Sequence, residues 1–287
     1  MAHIIDLLHL GRPRVIASHL LAGDEPALVD CGPASCLDAL KDGLAAHGLS
    51  LADLRHLALT HIHLDHAGGA GSLVAENPDL IVHVSEVGAP HLVDPSRLER
   101  SARRLYGDAF DRLWGEVRPV PEGNVRVVGS SVLGLEAFPT PGHASHHVSF
   151  LTADGECFSG DATGVRIAPG AYVAPVAPPP DIDLEAWETS LHAIESRRPA
   201  RLRLPHFDAV DDPSEHVARM REQLAAWAER VRRGVTVEEF ERAAEDEVAA
   251  AGLDPETAES YRQAAPFWQS HAGLARYWEK RRETEAA

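Results

Sequence analysis

The sequence contains very little cysteine. Its 287 residues include only three cysteines, Cys31, Cys36 and Cys157, and no two of them have the spacing of a zinc knuckle. A disulfide framework requires several paired cysteines in a short chain, so we do not expect disulfides to hold this fold together. A chain of this length can instead bury a large apolar core.

Long apolar runs and positive charge are also scarce. No apolar stretch approaches the roughly 18 residues that would indicate a membrane-spanning helix, and the first residues lack the basic region and cleavage pattern of a secretory signal. Lys and Arg number 27 against 44 Asp and Glu, a net charge of −17, which argues against binding to the phosphate backbone of nucleic acids. We therefore expect a cytoplasmic protein that binds neither membranes nor nucleic acids.

Histidine, in contrast, is concentrated at one place. The segment 60–69, THIHLDHAGG, contains four side chains that suit zinc and related metals: His61, His63, Asp65 and His66. The apolar run over residues 54–60 predicts a buried strand directly before them. The four side chains are therefore expected on a rigid strand-to-helix loop, where they can converge on a metal.

Three further candidate ligands follow predicted strands downstream. The segments LEAFPTPGH, ECFSGD and RLRLPH each contain an apolar run and end in a histidine or an aspartate; these end residues are His143, Asp161 and His206. Functional side chains collect beyond the strand ends of open α/β sheets. The sequence thus predicts seven metal ligands.

In this order, the seven residues resemble the ligand pattern of the metallo-β-lactamase-fold hydrolases. Three segments add to the resemblance: LVDCG at residues 28–32, TPGHASHHVSF at 140–150 and SGD at 159–161. It implies an α/β fold, a four-layer αβ/βα sandwich, over roughly residues 1 to 210. It also implies two ions: His61, His63 and His143 would hold one, Asp65, His66 and His206 the other, and Asp161 would bridge them.

The resemblance implies two divalent cofactors, zinc first, with manganese or iron as alternatives. Two such ions can hold a hydroxide between them and polarise the scissile bond, so no side-chain nucleophile is required. Asp65 and Asp161 would also be catalytic, because they can orient the attacking oxygen. Asp30 and His147 are expected to contact the ligands and fix imidazole tautomers.

The rest of the chain predicts two domains, a catalytic domain over residues 1–210 and an all-helical C-terminal extension over residues 211–287. The extension would pack on the sandwich, cover the site or form the interface of a homodimer.

An earlier helix is predicted over 97–113. Residues 164–180 contain five prolines and no helical period, which predicts an ordered loop. Within this loop, Arg166 and Tyr172 are the candidates for substrate contacts. The alternative for both residues is a role in packing only.

The substrate is expected to be a small ester-like molecule, and the same ligands serve several reactions. β-Lactams are disfavoured, because the β-lactamases of the family lack the bridging aspartate. Thioesters, as in glyoxalase II, are favoured, since a thiolate leaves without an acid catalyst, although the glycine-cysteine-glycine signature of that enzyme is absent. Lactonases of the family carry a tyrosine where this chain has Gly164. Phosphodiester hydrolysis, a mononuclear iron sulfur dioxygenase and a non-catalytic metal-stabilised binding module are the remaining alternatives.

Overall fold

A computed structural model of the chain describes residues 2–285, with Asp208 described by its backbone alone. By their internal contacts the residues form two compact units. Unit 1 comprises the chain up to Phe138 and Val148–Ala153, and unit 2 comprises Pro139–His147 and the chain from Asp154 onward. The predicted domain boundary at residue 210 stays a prediction.

Unit 1 contains nine strands and six helices among its described residues. The strands are β1 (Ala2–Asp6), β2 (Ala17–Leu21), β3 (Ala27–Val29), β4 (His56–Ala58), β5 (Ile81–Val84), β6 (Val125–Val127), β7 (Ser131–Val132), β8 (Leu135–Pro139) and β9 (Val148–Leu151). The helices are α1 (Leu37–Ala46), α2 (Leu64–Ala67), α3 (Ala70–Glu76), α4 (Ala89–Val93), α5 (Ser96–Tyr106) and α6 (Phe110–Trp114).

The first sheet has the spatial order β1 to β6. The strands β1, β2 and β3 are antiparallel, and β3 to β6 are parallel. Both β3 and β4 are short and almost wholly buried, as is typical of parallel strands covered on both faces. Val29 is in register with Ala58, so the residues that follow these two strands lie at the same edge. Asp30 and the predicted metal-binding segment are therefore neighbours.

Unit 2 contains three strands and five helices among its described residues. The strands are β10 (Glu156–Phe158), β11 (Arg201–Leu204) and β12 (Asp208–Val210), and with β7 to β9 they belong to the second sheet. The helices are α7 (Leu184–Ser196), α8 (Pro213–Arg232), α9 (Val237–Ala250), α10 (Pro255–Ala264) and α11 (Phe267–Glu285). Strands β10 and β11 are parallel, so Asp161 and His206, which follow them, lie at one edge.

The C-terminal helices begin at residues that favour helix starts. Helix α8 begins at Pro213, a residue whose fixed φ suits the first helical position. Thr236 and Glu239 form a capping box at the start of α9, and the Asp254 carboxylate accepts hydrogen bonds from two main-chain N–H groups at the start of α10. The predicted all-helical C-terminal region is thus confirmed. Within residues 2–285, no helix combines the length and apolar character needed to cross a membrane.

Two other predicted segments have different outcomes. The helix expected over 97–113 is interrupted, because α5 ends at Tyr106 and Gly107 adopts a φ of 53°, a conformation that glycine permits. The loop expected over 164–180 is confirmed. A bridge between Val165 and Ala174 closes it, and the Tyr261 hydroxyl of α10 accepts a hydrogen bond from Ile167 N at 2.9 Å and donates one to the Tyr172 carbonyl at 2.7 Å.

Candidate metal centre

The four predicted ligands of unit 1 lie in and directly before the short helix α2. Nε2 of His61 is 3.1 Å from Nδ1 of His63, and Nε2 of His66 is 3.6 Å from a carboxylate oxygen of Asp65. Two ligands bound at about 2.0–2.1 Å to one tetrahedral zinc ion are roughly 3.3 Å apart. Each pair therefore has the spacing of two ligands on one ion.

Asp30 fixes the tautomer of His66. Its Oδ2 lies 2.9 Å from Nδ1 of that ring, and a carboxylate can only accept, so Nδ1 carries the proton and Nε2 keeps its lone pair for a metal. The same carboxylate accepts from the Thr60 N–H and hydroxyl, both at 2.8 Å. The Thr60 oxygen in turn accepts from Nδ1 of His61 at 3.1 Å. The predicted role of Asp30 is confirmed.

The backbone after β3 holds helix α2 in place. The N–H groups of Cys31 and Gly32 both donate to the His66 carbonyl, at 2.8 and 3.1 Å. A Cβ at Gly68 would collide with the Leu64 carbonyl, so only glycine allows this approach. Burial raises the pKa of the Cys31 thiol, so Cys31 stays protonated and acts in packing.

Helix α2 is also supported from its apolar side. Leu64, which stands between two ligands, packs in a buried cluster with Ala102 of α5 and Phe110 and Trp114 of α6. Apolar contacts of this kind limit the movement of α2, because a displaced leucine would leave a cavity. The interrupted helix over 97–113 thus supports the metal-binding segment.

The three predicted ligands of unit 2 come from three separate segments. His143, Asp161 and His206 are each about 1% exposed. Oδ2 of Asp161 is 3.5 Å from Nε2 of His143, and Oδ1 is 3.5 Å from Nε2 of His206. Each oxygen of this one carboxylate therefore faces a different imidazole.

The turn that carries Asp161 is held through its main-chain carbonyls. Within this turn, Gly160–Thr163, the Ala162 carbonyl accepts from the indole N–H of Trp187 at 2.7 Å. The Thr163 carbonyl accepts from Nε2 of His216 at 2.8 Å. Both donors are fully buried in helices of unit 2, so α7 and α8 determine where Asp161 stands.

His147 holds the main chain of the same aspartate. Its Nε2 accepts from Asp161 N at 3.2 Å, and its Nδ1 lies 2.8 Å from the Thr140 hydroxyl. We predicted that His147 would fix an imidazole tautomer. Its contact with Asp161 is instead to the peptide N–H, because the loop of residues 139–147 brings the ring beside the Asp161 turn.

His143 is oriented by a main-chain acceptor. Its Nδ1 donates to the Val176 carbonyl at 2.6 Å, so in the neutral ring Nδ1 carries the proton and Nε2, on the side of Asp161, has the lone pair. The ring packs edge-to-face on Trp187, with ring centroids 5.8 Å apart. The Val176 carbonyl thus does for His143 what Asp30 does for His66.

Arg166 and Tyr172 form bonds that fix the loop over 164–180. The guanidinium of Arg166 pairs with Asp212 at 2.7 Å, and the Tyr172 hydroxyl donates to Glu247 at 3.1 Å. Burial raises the pKa of Tyr172, and the negative charge of Glu247 raises it further. Substrate contact by either residue stays a prediction.

Sequence reasoning missed several residues that hold the ligands. They are Thr60, Trp187, His216 and the main chain of Val176. Thr60 directly precedes His61 and could have been found from that position. The others lie far along the chain from the ligands that they help to position, and no local pattern marks them.

Comparison with known proteins shows the family. A family model described as the metallo-beta-lactamase superfamily matches residues 11–204, which is more than half of the chain. The chain belongs to this superfamily. All seven predicted ligands are among the described histidine and aspartate side chains that could hold a metal ion.

Curated members of the superfamily are distant relatives. A hydroxyacylglutathione hydrolase from Cupriavidus taiwanensis is 30% identical over 139 residues, which are 47% of this chain and 44% of that protein. The chain thus matches less than half the length of this relative. The metallo-beta-lactamase fold-containing protein ST1585 from Sulfurisphaera tokodaii is 25% identical over 220 residues, covering 72% of this chain and 79% of the relative.

Solved structures of the superfamily share the fold. The crystal structure of ST1585 from Sulfolobus tokodaii superposes with a TM-score of 0.70 at 21% identity, covering 95% of this chain and 97% of that one. TTHA1429 from Thermus thermophilus, a metallo-beta-lactamase family protein, gives 0.69 at 20% identity, covering 99% and 94%. The predicted metallo-β-lactamase fold with a helical C-terminal region is confirmed.

Proposed function

We propose that this protein is a dinuclear metal-dependent hydrolase of small ester-like substrates, with thioesters favoured. One observation carries the proposal: the two oxygens of Asp161 each lie 3.5 Å from the Nε2 atom of a different histidine, His143 and His206. A carboxylate flanked in this way is suited to bridge two ions, and a centre with one ion has no need for it.

The proposed allocation follows the superfamily pattern. His61, His63 and His143 hold one ion, Asp65, His66 and His206 hold the other, and Asp161 bridges. Support comes from the donor types, since the two groups have the composition to hold an ion each. Further support comes from the ring orientations, because Nδ1 of both His66 and His143 is bonded to an acceptor and Nε2 of each ring faces a candidate aspartate ligand.

Two bound divalent ions supply a water of lowered pKa and polarise the carbonyl of the substrate. The protein provides the ordered donors and the carboxylates around them. The Asp65 side chain is 20% exposed and that of Asp161 is 1% exposed. We assign proton transfer with solvent to Asp65 for this reason, and the purely ligating role to Asp161.

The surroundings of Gly164 favour thioesters over lactones. This residue has a φ of 72°, and a Cβ there would meet the Ala174 carbonyl at 2.5 Å and the Met220 sulfur at 2.9 Å. A tyrosine at this position, as lactonases have, would not fit. The Tyr172 hydroxyl is bonded to Glu247, which disfavours it as a replacement. A thiolate needs no such acid to leave.

The names of two relatives point to the same substrate class. Hydroxyacylglutathione hydrolases from Cupriavidus taiwanensis and Alkalilimnicola ehrlichii are 30% and 32% identical to this chain over 139 and 136 residues. An acyl group on glutathione is a thioester. These matches cover about half of the chain, 47% in each case, and we take from them the thioester as the substrate class and nothing finer.

The test combines metal reconstitution with a small substrate panel. Metal-depleted protein is loaded with zinc, manganese or iron and assayed with an S-acyl glutathione, a γ-lactone and bis(p-nitrophenyl) phosphate. We expect metal-dependent hydrolysis that is fastest on the thioester, and none in His63→Ala. Full activity without metal would contradict the mechanism. Faster hydrolysis of the lactone or phosphodiester would overturn the substrate class, and oxygen consumption with one iron per chain would identify a dioxygenase.

A further inference from the structure

The tautomer of His143 depends on the direction of a single peptide group. The acceptor of its Nδ1 proton is the Val176 carbonyl, at 2.6 Å. The same peptide group contains the N–H of Ala177. A trans peptide is planar, and its C=O and N–H point in opposite directions. Whatever holds the Ala177 N–H therefore also aims the Val176 carbonyl.

Ser270 of helix α11 holds that N–H. Its Oγ accepts from Ala177 N at 3.1 Å and lies 3.3 Å from the Pro175 carbonyl, to which it donates. A hydroxyl can donate and accept at once, so this one side chain bonds the main chain on both sides of Val176. Ser270 is 1% exposed, and water does not compete for these bonds.

Helix α11 approaches this loop closely enough to make the contact. Gly273 lies one turn after Ser270, and a Cβ there would collide with the Ala177 carbonyl. The missing side chain lets the helix backbone lie directly against the loop. Helix packing therefore sets the position of Ser270. The two hydrogen bonds of Ser270 then fix the loop main chain around Val176.

We infer that Ser270 is a positioning residue for the metal ligand His143. Helix α11 then helps to set the geometry of the metal centre. The inference rests on the proposed function, in which His143 binds a metal. Without the hydroxyl, the Val176 peptide can rotate and the His143 ring loses its fixed acceptor. Loss of a partner that orients a metal-binding histidine typically lowers metal affinity about 10- to 100-fold.

The test compares Ser270→Ala with Tyr261→Phe. The Tyr261 hydroxyl also forms two bonds to this loop, at Ile167 and Tyr172, but neither involves the Val176 peptide. Zinc affinity is measured by competition with a chelator, and the site is also probed by the absorption spectrum of the cobalt-loaded protein. We expect weaker zinc binding by about 10- to 100-fold and an altered cobalt spectrum in Ser270→Ala only, with both restored in Ser270→Thr.

A readout without metal keeps the test independent of loading. In metal-free protein, the ring ¹⁵N shifts of His143, assigned with His143→Gln, report which nitrogen carries the proton. We expect a hydrogen-bonded proton on Nδ1 in the wild type and a weaker Nδ1 hydrogen bond in Ser270→Ala. If Ser270→Ala does not fold, Ser270→Cys is used, because it keeps a weak acceptor of similar size. We expect the same changes in Ser270→Cys, but smaller ones.

The failures of the two proposals are distinguishable. If the wild type binds two ions and the serine variants keep its zinc affinity and Nδ1 hydrogen bond, the inference on Ser270 is wrong and the proposed function stands. Equal loss of affinity in Tyr261→Phe would likewise overturn it, because loosening of the loop would then be the cause. If the wild type binds no metal, the proposed function itself fails.

Discussion

The two compact units supply the candidate metal ligands in different ways. Unit 1 places four of them within six residues of one loop, from His61 to His66, and a single carboxylate, Asp30, holds the arrangement from the side. Unit 2 draws three from separate segments. Side chains of later helices donate to the main-chain carbonyls beside Asp161, and the Val176 carbonyl accepts from His143. Local sequence determines the first set, and tertiary packing determines the second.

The largest effect is expected from the aspartates of the two sets. Asp161 faces two histidines at 3.5 Å, whereas Asp65 lies 3.6 Å from one, His66. Asp161→Ala should therefore lose both ions, and Asp65→Ala only one. Loss of a residue that only orients a ligand typically lowers activity by at most about 100-fold. The rate of hydrolysis should fall further than this in the aspartate variants. Metal content and turnover of the two variants, measured side by side, check this.

Circular dichroism of both aspartate variants serves as the control for folding. Equal loss of metal from Asp65→Ala and Asp161→Ala would remove the distinction between a local and a bridging carboxylate. Retention of two ions by Asp161→Ala would rule out the bridging role.

A smaller effect is expected at the residue that orients His66. In Asp30→Asn, an amide NH₂ would replace one of the acceptors that now serve His66 and Thr60. We expect zinc affinity to fall about 10- to 100-fold with the fold retained. The zinc affinity of Asp30→Asn should be similar to that of Ser270→Ala. Asp30 bonds directly to the ring of His66, whereas Ser270 acts on His143 through the Val176 peptide group. Unchanged zinc affinity in chelator competition would show that Asp30 is only a packing residue.

Each unit contains a histidine that should make stability depend on pH. Burial lowers the pKa of His216 to about 4 from 6.5, and the charges of Arg166 and Arg219 lower it further. The hydrogen bond to the Thr163 carbonyl and the charge of Asp212 oppose this shift. The unfolded chain therefore binds a proton between pH 6.5 and 4 that the folded chain does not. Stability should fall as the pH falls through this window, by roughly 3 kcal/mol in total for this group.

The test is urea unfolding of metal-free protein across that pH range. His216→Gln keeps an N–H for the Thr163 carbonyl but cannot titrate. The slope of the unfolding free energy against pH should therefore decrease by the equivalent of one bound proton. His83 of unit 1, whose pKa is also lowered to about 4, by burial and then by His56 and Arg126, provides the matched variant His83→Gln. An unchanged slope in both variants would show that neither histidine is neutral in the folded protein.

The smallest effect is expected at Tyr172. Its hydroxyl bonds to Glu247, but this carboxylate also accepts from Gln223, Trp227 and Arg230, so it keeps partners in Tyr172→Phe. We expect a loss of about 1 kcal/mol in unfolding free energy, measured by urea unfolding. A rise in KM at unchanged kcat would assign the residue to substrate contact, and an unchanged KM would limit it to packing of the loop.

The sequence predicts what is local and misses what depends on distant contacts. The order of histidines and aspartates predicted the fold. Thr236, Asp254 and Pro213 mark helix starts that can be recognised locally, because capping involves only neighbouring residues. Gly107 interrupted a predicted helix, since the apolar spacing continues across it. Ser270 differs from other helical serines only through the peptide that it contacts, so nothing in its local sequence marks it.

The proposed dinuclear centre of seven side chains can be tested by counting metal ions. Protein purified without added metal, reloaded with zinc and dialysed, is analysed by mass spectrometry of its metals together with its thioesterase activity. We expect two ions per chain, with activity that rises to its maximum as the second ion binds. Full activity with a single ion per chain would overturn the dinuclear proposal.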